Sequence, residues 1–354
     1  MGRLSSTIRL CLAASMLALS LWACNNGPRW DILPLPELPS EPLLRVAYVE
    51  NPRFPGAQPA MLRAILDKTR QLVKQHFGIE LVFAETIERV DIAGFFDNLK
   101  PVVRREGRQK ILDPERVSTA QRRLLHDSLY QTMENYTRDR QQVLDFARPY
   151  LLKAVEDADF HKLADALVET LLQRLRYWRE QKAADGRPVL DGSPYNEWVW
   201  WDTLGYGNVP HDVVITNQLI ASAEFYGMDV HSSLRGGITA GTTTYSHHAQ
   251  FRAYAWISLY PLLNDSDLLQ QLRGDAAYTE RQITDYAAAI LAHELGHLLL
   301  HLGHPFGNPH CIMAPMPLLR YREWYAGLDA SRCTLGSSPQ MTPGAAKIEY
   351  RSNW

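Results

Sequence analysis

The sequence has no surplus of charge of either sign. Lysine and arginine number 37 against 39 aspartates and glutamates, a formal net charge of −2. That argues against general nucleic-acid binding, which draws on a basic surface. Near the start, residues 10–21 are apolar, but they fall short of the roughly 20 residues a helix needs to cross a bilayer. Cysteine is scarce as well, with four in 354 residues. No catalytic pattern is found between residues 113 and 184, a polar, charge-rich stretch with helical spacing.

What is present is concentrated in residues 293–313. The stretch opens with His293, Glu294 and His297, an H-E-x-x-H pattern. On a helix, positions four apart share a face, so two imidazoles can grip one ion. Neutral imidazole suits Zn²⁺, which in catalytic sites takes three protein ligands and keeps one position open. Glu294 sits about 100° round the helix and can reach the water that the metal activates, as a general base. The surroundings favour a helix over residues 283–302. Thr279 and Gln282 fit a capping box at its start, Gly303 fits a stop, and Pro305 follows. Three residues compete for third ligand. His301 continues the i+4 series but stands about 12 Å along the axis from His293, His304 follows the Gly303 break and can fold back, and His310 lies further on. His304 is the preferred choice.

This stretch resembles the metzincin clan of zinc endopeptidases, in which H-E-x-x-H-x-x-G-x-x-H is followed by a Met-turn. Cys311, Ile312, Met313, Ala314 and Pro315 look like that turn. The Cys-x-Met piece resembles archaemetzincins and the adamalysin branch. Leu300 stands at the family's glycine position, and His304 comes one residue late. The resemblance implies an α+β fold, a mixed sheet over an active-site helix. It implies one Zn²⁺ per chain held by His293, His297 and His304, with Glu294 as base and Met313 shaping the floor. It also implies a peptide or protein substrate. The few cysteines leave none for the second zinc site of archaemetzincins. Tyr321 or Tyr325 is a further candidate, as hydrogen-bond donor to a tetrahedral intermediate.

The N-terminus reads as a targeting segment, residues 1–23, with Arg3 and Arg9 ahead of the apolar run. Ala23-Cys24 resembles a bacterial lipobox, in which Cys24 is lipidated and becomes the mature N-terminus. Trp22 is unusual there, and an ordinary signal peptide or an uncleaved anchor fits the same residues. Asn25 and Asn26 by resemblance favour the outer membrane, facing the periplasm. Residues 24–42 form a linker carrying Pro28, Pro34, Pro36, Pro39 and Pro42, an extended spacer. Cys11 leaves with the leader and Cys24 takes lipid, so Cys311 and Cys333 remain. In an oxidising compartment they are expected to form a disulfide tying the Met-turn to the C-terminal segment, with two free thiols as the alternative.

The rest, residues 43–354, reads as a catalytic domain with a helical insertion at about 113–184. Strands are expected at 45–49, 79–84, 212–220 and 251–260, the last half-buried by its alternation. Residues 59–77 form a helix closed by Gly78, so the opening strand-helix-strand implies a parallel pair. Residues 234–245 suit a strand, a tight turn and an edge strand. Trp198, Trp200 and Trp201 read as core aromatics. His126, His161, His247 and His248 read as surface residues. The expected function is zinc-dependent peptide hydrolysis in the cell envelope. A zinc-dependent cell-envelope amidase and a non-catalytic zinc-binding lipoprotein are the alternatives.

The lipobox reading makes a direct prediction. Full-length protein expressed in a Gram-negative host should incorporate labelled fatty acid, and Cys24→Ser should abolish the label and leave the leader uncleaved. A wild-type protein that takes no label would identify a plain signal peptide instead.

Overall fold

The computed structural model describes residues 42–97, 111–136, 140–191, 195–206, 209–222, 228–244, 253–300 and 302–333. The leader, Cys24, His247, His248 and His301 lie outside that range.

The chain opens with strand β1 (Leu43–Glu50), helix α1 (Pro59–Phe77) and strand β2 (Val82–Asp91). Pro59 starts α1, where a missing N–H costs nothing, and the helix ends at Gly78. β1 and β2 are parallel neighbours, as a strand-helix-strand unit requires. β2 begins later than the sequence pattern predicts and runs seven residues beyond it. Its distal half, with Glu85, Glu88 and Arg89, is polar because β2 is an edge strand with a wet face. Ladder hydrogen bonds and the Arg89–Glu50 ion pair (2.8 Å) hold it there.

A short helix α2 (Ile92–Asp97) follows, then the helical region: α3 (Thr119–Tyr136), α4 (Arg140–Ala147) and α5 (Phe160–Glu180). Ser118 and Gln121 form a reciprocal capping box at α3, and Asp159 caps α5 by accepting from the His161 N–H at 2.8 Å. Leu125, Leu163, Leu171 and Trp178 from these helices join Leu62 of α1 in one apolar cluster. These helices are thus packed into the main core rather than set apart from it.

Helix α6 (Glu197–Tyr206), strand β3 (Val213–Thr216), the two-residue strand β4 (Ile220–Ala221), helix α7 (Val230–Leu234), β5 (Ile238–Thr239), β6 (Gly241–Thr244) and β7 (Tyr254–Ser258) come next. The main sheet is ordered β2-β1-β3-β7-β6, with β6 antiparallel to β7 and the other pairs parallel. Leu234, expected in a strand, instead ends α7. β7 is buried along its whole length, not on one face as its alternation predicts. The cause is that helices cover both sides of the sheet. Ile257 faces the large core, whereas Tyr254 and Trp256 face a second cluster with Phe95, Phe96 and Trp200.

After α8 (Tyr260–Leu263) and α9 (Asp267–Arg273) comes the long helix α10 (Glu280–Leu300), and near the end α11 (Tyr321–Gly327). Thr279 and Gln282 make the expected capping box at the start of α10. The helix packs against α1, β7 and β6. The fold is α+β, with a mixed five-stranded sheet and α10 running beneath its β6–β7 edge.

Candidate metal centre

α10 carries His293, Glu294 and His297 on its last two turns. The helix is described as far as Leu300, and Leu302, its expected end, lies outside it. The chain then folds back, so that the Leu302 N–H donates to the Gly296 carbonyl at 3.2 Å. That reversal places His304 over the helix. The three ring atoms Nε2 of His293, His297 and His304 stand 3.0, 3.1 and 3.1 Å apart. Among the described residues these three form the one cluster able to hold a metal ion. His310 is elsewhere, its Nδ1 bonded to the Gly327 carbonyl at 2.9 Å.

The hydrogen bonds decide what those nitrogens offer. His293 Nδ1 meets the Ile312 carbonyl at 2.8 Å, and His297 Nδ1 meets the Leu302 carbonyl. A carbonyl can only accept, so each Nδ1 carries the proton and, in a neutral ring, each Nε2 is left with a lone pair. Burial keeps the rings neutral. It lowers His293 to about 4, and it holds His297 and His304 well below the ordinary imidazole value, with neighbouring histidines adding to the effect. A triangle of nitrogens with edges near 3.1 Å lets one ion lie about 2.05 Å from each corner, roughly 1 Å above their plane. Three neutral nitrogen donors with an open fourth direction fit Zn²⁺.

Glu294 is held on the other side of the helix turn. Thr243 of β6 donates to its Oε2 at 2.9 Å and is also 2.8 Å from its backbone oxygen. A Cβ on Gly241 would lie 2.8 Å from Glu294 Oε1, so the strand can approach the carboxylate this closely only with glycine there. Burial pushes Glu294 up to about 8, against the pull of the Thr243 hydrogen bond. A carboxyl so placed can hold or release a proton near neutral pH.

Met313 is fully buried beneath the helix. A Cβ on Gly296 would run into Met313 Sδ and come within 2.7 Å of Phe77, so Gly296 lets the methionine sit directly under the metal-binding turn. Cys311 and Cys333 are joined by a disulfide, and Trp324 donates to the Ala314 carbonyl at 3.2 Å. Both tie the turn to the C-terminal segment. Tyr321 and Tyr325, considered above as donors to a reaction intermediate, do not line the pocket at the centre. Tyr321 is buried with its ring stacked on Tyr286, and Tyr325 packs edge-on against the same ring.

The sequence reading missed three residues. Thr243 belongs to a run of threonines that looked like an ordinary edge strand. His231, whose ring centre lies 5.1 Å from that of His304, and Arg235 arrive from α7 and carry no local signal at all. They line a pocket of about 340 Å³, solvent-open mouth included, beside His293, Glu294 and Met316.

The geometry predicts one Zn²⁺ per chain by elemental analysis of purified protein. His293→Ala, His297→Ala and His304→Ala should each lose it, while His310→Ala should retain it. Stoichiometric zinc in His304→Ala would move the third ligand elsewhere.

No protein-family model matches the chain, and no curated protein matches it. Among solved structures, a zinc-dependent peptidase from Methanocorpusculum labreanum (strain Z) aligns with 80% of this chain and 93% of its own. The sequences are 14% identical and the TM-score is 0.26. A likeness that loose assigns neither fold nor activity to this chain.

Proposed function

We propose that the chain is a zinc-dependent endopeptidase of metzincin type. The observation that carries this reading is a single juxtaposition. Three buried imidazoles bring their Nε2 atoms together, and the next residue after the first of them is a desolvated carboxyl group held by Thr243. A structural metal site is normally closed by four ligands; three donors and a poised acid are the parts of a hydrolytic site.

Zinc bound by His293, His297 and His304 would polarise the scissile carbonyl and lower the pKa of a water. The protein's own residues manage the proton. Glu294 takes it from the attacking water and returns it to the amine nitrogen as the C–N bond breaks, leaving a carboxylate and an amine. Thr243 fixes the carboxylate plane, and the Ile312 and Leu302 carbonyls keep the histidine rings oriented. The proposed setting is the envelope, with Cys24 lipid-anchored and fixing where substrates are met; peptides or proteins reaching the periplasmic face are the substrates.

Glu294→Gln should keep stoichiometric zinc and lose about 10²- to 10⁴-fold in peptide cleavage, measured on a quenched-fluorescent peptide library. Removing the metal with a chelator should abolish wild-type cleavage, and added zinc should restore it. Wild-type rates in Glu294→Gln would overturn the reading.

A further inference from the structure

The pocket beside the metal centre contains a cation that the proposed mechanism does not use. Arg235 lines it and is 3% exposed. Its Nη2 donates to the Met316 carbonyl at 2.8 Å, and its Nε is buried without a partner. No carboxylate of the described residues forms an ion pair with it. Asp229 and Glu294 lie near enough to attract it but not to bond it.

That is a costly arrangement for a buried guanidinium, which ordinarily needs a paired carboxylate. The chain meets this need elsewhere. Arg273, 1% exposed, pairs with Asp265 and also donates to the carbonyls of Pro261 and Asn264. Arg235 differs in lacking the carboxylate while facing the cavity.

Its position is nevertheless built with care. Trp178 of α5 donates from Nε1 to the Arg235 carbonyl at 2.8 Å, and Arg174 of α5 donates to the Leu234 carbonyl. The end of α7 is therefore clamped by the helical insertion. His231, one turn earlier on α7, turns its ring toward His304 and has a buried Nδ1 with no partner. Two nitrogen-bearing side chains from one short helix thus line the pocket wall next to Glu294.

Resting on the peptidase reading above, we infer that Arg235 makes this pocket a carboxylate-binding subsite for the substrate residue flanking the scissile bond. A planar guanidinium with unused N–H groups binds a carboxylate in a forked geometry. The carboxylate comes either from an Asp or Glu side chain or from a peptide C-terminus. The insertion helix α5 then has a definite task, which is to hold the specificity residue in place.

The test uses zinc-loaded full-length protein and peptide pairs with Glu or Gln on either side of the cleaved bond, each with a free or amidated C-terminus. Hydrolysis gives kcat/KM, and calorimetry gives the affinity of the same peptides for the Glu294→Gln variant. The Glu peptide should be preferred by roughly 10- to 100-fold in both readouts. Arg235→Gln should bring the ratio near one, and Arg235→Lys should retain part of it. A preference that depends only on the free C-terminus assigns the carboxylate to the chain end and makes the enzyme a carboxypeptidase rather than an endopeptidase. Cleavage by the wild type with no preference for a carboxylate overturns the subsite and leaves the peptidase reading standing. A preference in binding with no hydrolysis of any peptide does the reverse. A ratio that survives in Arg235→Gln removes Arg235 from the role, and if that variant does not fold, the wild-type ratio alone decides.

Discussion

Two backbone carbonyls determine what the centre can be. Ile312 and Leu302 each accept from the Nδ1 of a helix histidine, and that choice of tautomer leaves the Nε2 lone pairs of His293 and His297 pointing at one another and at His304. The two lone pairs, about 3 Å apart, repel unless a proton or a cation lies between them. Everything around the centre serves that arrangement. Beyond α10 the Leu302 N–H returns to the Gly296 carbonyl of the same helix. The disulfide and Trp324 hold the segment that supplies the Ile312 carbonyl. Met313 fills the space under Gly296.

The sheet contributes the other half of the chemistry. β6, the antiparallel edge strand, crosses α10 closely enough to put the Thr243 hydroxyl within hydrogen-bond distance of both the carboxylate and the backbone carbonyl of Glu294, to either of which its one hydrogen can go. Gly241 permits the approach. Burial raises the pKa of the carboxyl, and the Thr243 hydrogen bond, which pulls the other way, fixes its orientation. Helix α5 contributes through Trp178 and Arg174, which secure the end of α7. The pocket wall is therefore assembled from parts of the chain that are far apart in sequence.

This division explains what could be read beforehand. The capping box at Thr279, the i,i+4 histidines and the opening strand-helix-strand are local features, and local spacing determines them. The choice of His304 rested on the glycine break before it, against a family pattern in which the third histidine comes one residue earlier, and in the structure its Nε2 lies 3.1 Å from each of the other two. The length of β2 was hidden because an edge strand can be polar on its wet face. The complete burial of β7 was hidden because its alternation did not disclose helices on both sides of the sheet. Thr243, His231 and Arg235 were illegible for a stronger reason. Each acquires its role only through a neighbour from another part of the chain, and nothing in the residues beside it marks the meeting. The tyrosines of the C-terminal segment misled in the opposite sense, since proximity in sequence to the Met-turn placed them near the site and packing against Tyr286 draws them away.

The central claim is that one zinc ion is held by three Nε2 atoms with a fourth direction open. X-ray absorption at the zinc edge of the zinc-loaded full-length protein tests it most directly. The account predicts three imidazole nitrogens near 2.0–2.1 Å and one light oxygen scatterer. A fit requiring sulfur, or four imidazoles and no oxygen, would contradict it.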